Sequence, residues 1–286
     1  MRKIKIMADS ASDITQAKAK ELGITVIPGC VNLGQENFRD GVDIQSKEFF
    51  AKVIASDVMP KSSQPSPEAF MEEFRKYEDY DDILCLALTS KSSGTYNSAC
   101  LAKQMLEEEN FGAKIHIFDT LNASITILSM VKNCNKMILE GKTVQEIIKH
   151  LESIRDKMSL YFVCDTLDYL KKGGRINTAT YAIGTLLKIK PIITFFKGAP
   201  IDCEKVRGID QARRKLIELF EQKSEAFSEI SIIHAVNMEQ AKKLEEEIKA
   251  KFNDIKVHMY EVGASTGTHT GPGAFGVIFC EKAPRW

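Results

Sequence analysis

Along the first half of the chain, short apolar runs alternate with stretches whose apolar positions recur every three or four residues, the pattern of strands alternating with amphipathic helices. KIKIMAD at 3–9 reads as a strand, DITQAKAKELG at 13–23 as a helix closed by Gly23, and ITVIPGCVNL at 24–33 as a second extended run. Helical spacing returns in SKEFFAKVIAS at 46–56 and PEAFMEEFRKY at 67–77. The entry to the latter, Ser66-Pro67-Glu68, supplies an N-cap, a first-turn proline and an early carboxylate. DDILCLAL at 81–88 and AKIHIFD at 113–119 are runs of buried-strand type, separated by the helical TYNSACLAKQMLEEEN. This alternation predicts an α/β fold with a mainly parallel sheet, helices on both faces, and ligands at the C-terminal strand ends.

After a helical region at about 122–153 the pattern changes. SLYFVCDT is strand-like, LDYLKK is helical, and PIITFFKGAPIDCEKV reads as two strands joined by the turn Lys197-Gly198-Ala199-Pro200. A helix near 211–223, the strand EISIIHAV, a helix over 239–252 and the strands KVHMYEV and FGVIFCEK follow. Consecutive strands joined by a hairpin predict a C-terminal mixed α+β domain, so the expected division is 1–158 and 159–286. No proline-rich or glycine/serine-rich linker marks the join, which implies close packing of the two.

The 286 residues, 44% of them hydrophobic, suffice for a packed core in each domain. Lysine plus arginine equals aspartate plus glutamate at 39 each, so no overall positive field draws in a polyanion, and nucleic acid is not expected as a partner. No segment offers the roughly 20 apolar residues that cross a bilayer, and MRKIKIMADS has too short an apolar core for a secretory signal. The expected location is cytoplasmic, with no transmembrane segment. Seven cysteines, without a C-x-x-C pair or a metal-like cluster, suit reduced, buried thiols rather than a redox or zinc site.

Four polar segments carry the candidate chemistry. In KSSQPSP at 61–67, capping accounts for Ser66 but leaves the Ser62 and Ser63 hydroxyls spare. TSKSSGTYNSA at 89–99 follows a strand and precedes a helix, which puts Ser93 and Gly94 at a helix N-terminus, where free amides and the helix dipole favour an anion; simple capping explains it equally well. Neither a Walker-type nor a dinucleotide-type glycine loop occurs. YLKKGGRIN at 169–177 is a lysine-rich last helical turn stopped by Gly173 or Gly174, with Arg175 placed to pair with a carboxylate or phosphate, or to form an ordinary surface salt bridge. GTHTGPGA at 267–274 holds His269 in a glycine-rich setting that reads as a loop. Together the segments are expected to converge on an oxyanion site without a metal.

MADSASDI, DGVDI, PKSSQPSP, SSGTYNSA, LDYLKKGGRI and GTHTGPGA, in that order from residue 7 to residue 274, resemble the DegV family of bacterial fatty-acid-binding proteins. The resemblance implies one long-chain fatty acid held between two α/β domains, no cofactor, and service as the acyl-carrying subunit of a fatty-acid kinase. In such a system a separate subunit supplies ATP and phosphorylates the carboxylate for phospholipid synthesis. By motif position, Ser62 and Ser93 hydrogen-bond the carboxylate, Gly94 contributes backbone, and His269 and Thr270 lie by the headgroup. Arg175 lies at the opening, outside the tail pocket. Arg175 or a protonated His269 meets the added phosphoryl charge, and Lys171 and Lys172 dock an acidic partner. ASITIL at 123–128 and TATYAIGTLLKI at 178–189 are expected to line the tail.

Burying about fifteen methylenes at about 0.8 kcal/mol each yields roughly 12 kcal/mol gross, against about 1.5–3 for each hydrogen bond to a charged headgroup. The tail therefore governs affinity and the head governs orientation. The competing reading is an esterase or acyltransferase with Ser93 as nucleophile, His269 as base and Asp9 or Asp119 as orienter; no G-x-S-x-G elbow supports it.

Overall fold

The computed structural model describes residues 2–177, 182, 189–226 and 228–284. A four-stranded, wholly parallel sheet is built from β1 (Ile4–Asp9), β2 (Thr25–Ile27), β6 (Asp82–Ala87) and β7 (Lys114–Asp119), in the order β2-β1-β6-β7. Successive residues of β1 and β6 enter different cores. Met7, Ile83 and Cys85 pack against Phe70 of α3 (Pro67–Arg75) and Ala99 of α4 (Thr95–Glu108). Ile6, Ala8, Leu84 and Leu86 face α5 (Thr126–Leu139), through Ile127 and Val131. Cover on both faces is why these strands read as unbroken apolar runs.

The second sheet has six strands in the order β10-β9-β8-β13-β11-β12, comprising β8 (Met158–Val163), β9 (Ile189–Phe196), β10 (Ala199–Arg207), β11 (Glu229–His234), β12 (Lys256–Glu261) and β13 (Phe275–Cys280). Only the β11–β12 pair is parallel. Its outer face, with Tyr161, Ile192 and Val277, is covered by α8 (Ile209–Lys223) and α9 (Met238–Lys251). Its inner face, with Leu160, Phe162, Ile193, Phe195 and Ile233, joins the same hydrophobic core as Ile6 and Leu86 of the first sheet. The fold is thus the expected mixed α/β arrangement, and one continuous core joins its two sheets.

Several elements differ from the sequence reading. ITVIPGCVNL is not one run: after Pro28 and Gly29 the chain leaves the parallel sheet, and β3 (Cys30–Leu33) enters a separate antiparallel sheet with β4 (Glu36–Arg39) and β5 (Lys61–Ser63). KSSQPSP is accordingly part strand. The helical region at about 122–153 is split by a capping box on Thr143 and Glu146 into α5 and α6 (Val144–Arg155). GTHTGPGA is no loop at its start, because Gly267 to Thr270 form the last turns of α10 (Ala264–Thr270), which stops at Gly271 with φ of 70°. The hairpin is tighter than expected, with Lys197 and Gly198 alone at positive φ and Pro200 inside edge strand β10. Of the cysteines, all free, Cys85, Cys134 and Cys164 are buried as expected; Cys30 and Cys203 are exposed because they lie on short or edge strands.

Candidate functional site

Where the C-terminal ends of β1 and β6 point, two chambers meet. The first, about 40 Å³, is lined by hydroxyl-bearing residues that include Ser10, Ser62, Ser63, Ser93, Thr95 and Ser265. The second, about 80 Å³, lies between the sheets and is walled mostly by carbon, from Leu88, Leu160, Phe162, Phe195 and Ile233. Ala11 and Leu88 belong to both walls.

The polar chamber is assembled by local rules at one side and by long-range bonds at the other. Ser93 precedes the Gly94 N-cap of α4; its Oγ accepts from the Thr95 amide at 3.2 Å and shares a hydrogen bond with Thr95 Oγ1 at 2.9 Å. Gly94 forms part of neither wall and is covered by Gln64, which a Cβ there would meet at 2.9 Å. Ser62 arrives on β5, and its Oγ bonds His269 Nε2 at 2.8 Å. Serines 62 and 93, far apart along the chain, thus line one chamber.

His269 rides on α10, and a buried carboxylate cluster holds that helix in place. Asp40 accepts the amides of Ala264 and Ser265 at 3.1 and 2.9 Å, Asp13 accepts the amide of Gly263 at 3.0 Å and the hydroxyl of Ser124, and Asp9 accepts the amides of Ala11 and Leu88 at 2.9 and 2.7 Å. Gly267 lets the helix rest on Phe50, which a Cβ would approach to 2.6 Å. Burial dominates the electrostatics of the cluster: it pushes Asp13 up to about 7, Asp9 up to about 6, and raises Asp40 as well, against the amide and hydroxyl bonds that favour the charged forms. His269 is pushed down to about 4, first by burial and then by the charge of Arg175. The imidazole is therefore neutral near pH 7, a correction to the expectation of a protonated His269.

Arg175 is also placed differently from the expectation. It is part of the apolar cavity wall rather than outside it, its Nε donating to Ser92 O at 3.0 Å and its Nη1 to Gly173 O. Burial lowers its pKa, and among the described residues no carboxylate pairs with it. Thr270 lines the same cavity, but its hydroxyl donates back to Thr266 O at 3.3 Å. Lys171 and Lys172 end α7 (Asp168–Lys172), Lys172 exposed and Lys171 half-buried; neither reaches a chamber wall. Of the expected tail-lining segments, ASITIL contributes Ala123 to the cavity, whereas 178–181 and 183–188 of TATYAIGTLLKI lie outside the described residues.

A hydrolytic triad is not assembled. Ser93 bonds Thr95 rather than His269, Asp9 is spent on two amides, and Asp119 accepts the amides of Ser90 and Leu121. His269 Nδ1, where an orienting carboxylate belongs, has no partner among the described residues. Among the described residues, no group of three or more His, Cys, Asp or Glu side chains is arranged to hold a metal, and no helix is long and apolar enough to cross a membrane. Sequence reasoning gave Asp13, Asp40, Ser124 and Ser265 no role of their own, although Asp13 falls in MADSASDI, Asp40 in DGVDI and Ser124 in ASITIL.

Comparison with known proteins agrees along the whole chain. A DegV domain-containing protein of Halalkalibacterium halodurans is 34% identical over 281 residues, 97% of this chain and 98% of its own. A fatty-acid-binding DegV family protein from Thermus thermophilus superposes with a TM-score of 0.86 at 32% identity, covering 96% of this chain and 98% of its own. A stearic acid-binding protein from Eubacterium ventriosum superposes with a TM-score of 0.88 at 26% identity, covering 99% of each chain. The family model described as "Uncharacterised protein, DegV family" matches residues 3–282, and the chain therefore belongs to the DegV family.

Proposed function

We propose that this protein binds one long-chain fatty acid without covalent attachment, the tail in the apolar cavity and the carboxylate in the hydroxyl-lined chamber. It then presents that head to a separate ATP-dependent kinase subunit. The observation that carries the reading is that the two chambers share the wall residues Ala11 and Leu88, which sets an apolar space directly beside one lined by hydroxyls and by the carboxyl of Asp9. The solved relatives that bind fatty acids, among them the stearic acid-binding one, support it.

A carboxylate withdrawn from water must be paired, and Ser62 and Ser93 supply the donors. In the neutral tautomer that carries its proton on Nε2, His269 donates to Ser62 Oγ, which leaves the single Ser62 proton for the ligand. In phosphoryl transfer, a carboxylate oxygen attacks the γ-phosphorus of ATP on the partner, the bond to ADP breaks, and an acyl phosphate remains on this protein. Arg175, permanently charged and without a carboxylate partner among the described residues, is the cation that meets the added charge. Thr270 packs against the chain, Gly94 sets the start of α4, and Lys171 and Lys172 face an acidic partner. The protein itself carries out no turnover, works in the cytoplasm, and divides into domains 1–158 and 159–286 with the ligand between them.

Native mass spectrometry of protein purified from a bacterial host, followed by lipid extraction, tests the reading. The expected result is a mass gain of one fatty acid per chain that is lost on denaturation. Protein recovered free of lipid, and unable to take up oleate or palmitate when offered, contradicts it.

A further inference from the structure

Among the described residues, four buried side-chain polar atoms have no hydrogen-bond partner, and two of them, Ser92 Oγ and His269 Nδ1, belong to residues in the wall of the apolar cavity. His269 Nδ1 lies against Gly173, where a Cβ would come within 2.4 Å of it, and the other nitrogen of the same ring is engaged with Ser62. Ser92 has no engaged side-chain atom. Its backbone is held at both ends, the amide donating to Thr89 O at 3.2 Å and the carbonyl accepting from Arg175 Nε at 3.0 Å, so the loop rather than any bond of its own directs the side chain. The other hydroxyls of that wall are engaged, Thr266 with Ala11 O and Thr270 with Thr266 O. A hydroxyl sealed from water without a partner is costly, and neither the surrounding carbon nor an unsubstituted alkyl chain relieves it.

The position of Ser92 along the path of the ligand narrows the choice. Its neighbour Ser93 lines the polar chamber, while Ser92 lines the cavity. Consecutive Cα atoms are about 3.8 Å apart, the reach of roughly three carbon–carbon bonds, so with an acid group beside Ser93 the carbons next to the carboxyl pass Ser92. The geometry points to an acyl chain that bears an oxygen close to its carboxyl end: Ser92 Oγ is a specificity-determining partner for the hydroxyl of a hydroxy fatty acid. This rests on the fatty-acid reading above and adds the class of chain.

The test uses the whole delipidated protein, with palmitate and the two separate enantiomers of 3-hydroxypalmitate competing against a fluorescent fatty acid. One enantiomer is expected to bind at least as tightly as palmitate. Ser92→Ala is expected to lower the ratio of hydroxy-acid to palmitate affinity about tenfold, and Ser92→Thr, which keeps a hydroxyl, to restore most of it. A wild-type protein that binds palmitate but rejects both enantiomers tenfold or more overturns the inference and leaves the fatty-acid reading standing. So does a ratio that Ser92→Ala leaves unchanged. Failure of the wild-type protein to bind any of the three acids sinks the fatty-acid reading and this inference together.

Discussion

The hydroxyl-lined chamber draws its walls from serines, a helix start and a helix held by buried carboxylates, whereas the cavity beside Ala11 and Leu88 is walled mainly by leucine, isoleucine and phenylalanine, most of them from the second sheet. The first is organised by hydrogen bonds that must each be satisfied; the second by packing that has no direction. The carboxylates also give the polar side a cost that the apolar side lacks, since burial raises Asp9, Asp13 and Asp40, and the charge of Asp40 raises the other two further. The site therefore spends folding stability at its head end, where orientation matters, and gains binding energy at its tail end, where only area does.

The largest expected effect breaks the comparison at the carboxylates. The folded-state pKa of Asp13 is raised from 3.8 to about 7, so its contribution to stability is fully present below about 3.8 and is lost as pH rises through about 7. Asn at this position has no charge to bury and still accepts the Gly263 amide. Asp13→Asn should gain on the order of 2–4 kcal/mol relative to wild type at pH 8, and the gain should shrink steadily towards pH 4. Thermal melts of both proteins across that range check it, and a difference in Tm that does not vary with pH speaks against a buried, titrating Asp13.

Next in size is the loss of the head donors. Ser62→Ala with Ser93→Ala removes two bonds to a charged group at about 1.5 kcal/mol or more each, so fatty-acid affinity should fall above a hundredfold. Competition binding with a fluorescent fatty acid measures it, and unchanged affinity removes both serines from the role. The smallest of the three concerns the wall that the two chambers share. Ala11→Leu adds bulk to that wall; if about three methylenes are kept out at about 0.8 kcal/mol each, affinity for palmitate falls about fiftyfold, while octanoate, with less tail to lose, is affected less. Equal losses for the two acids would show that Ala11 does not lie on the path of the chain.

Much of this architecture was legible from local pattern because the physics behind it is local. Strand β6, the Ser93-Gly94 turn and α4 follow one another within thirty residues, so an apolar run followed by a helix start is enough to place an anion-favouring end there. Ser66 caps α3 through the Ala69 amide, as its position three residues earlier dictates. The small sheet was not legible, since ENFR and KSS carry no apolar alternation and are strands only because Cys30–Leu33 lies between them. Nor was α10, whose Gly267 and threonines, followed at once by Gly271 and Gly273, read as a turn.

By itself, then, the chain determined the order of its elements, the mixed α/β class, the two serines and the histidine as candidates, and the family to which it belongs. Only the tertiary structure decided that His269 sits on a helix, that it is neutral, that it bonds Ser62 rather than Ser93, and that Arg175 walls the cavity. The physical reason is distance along the chain. Asp40 holds the start of α10 from 224 residues away, and Ser62 meets His269 across 207, so neither bond leaves a trace in any local window of sequence.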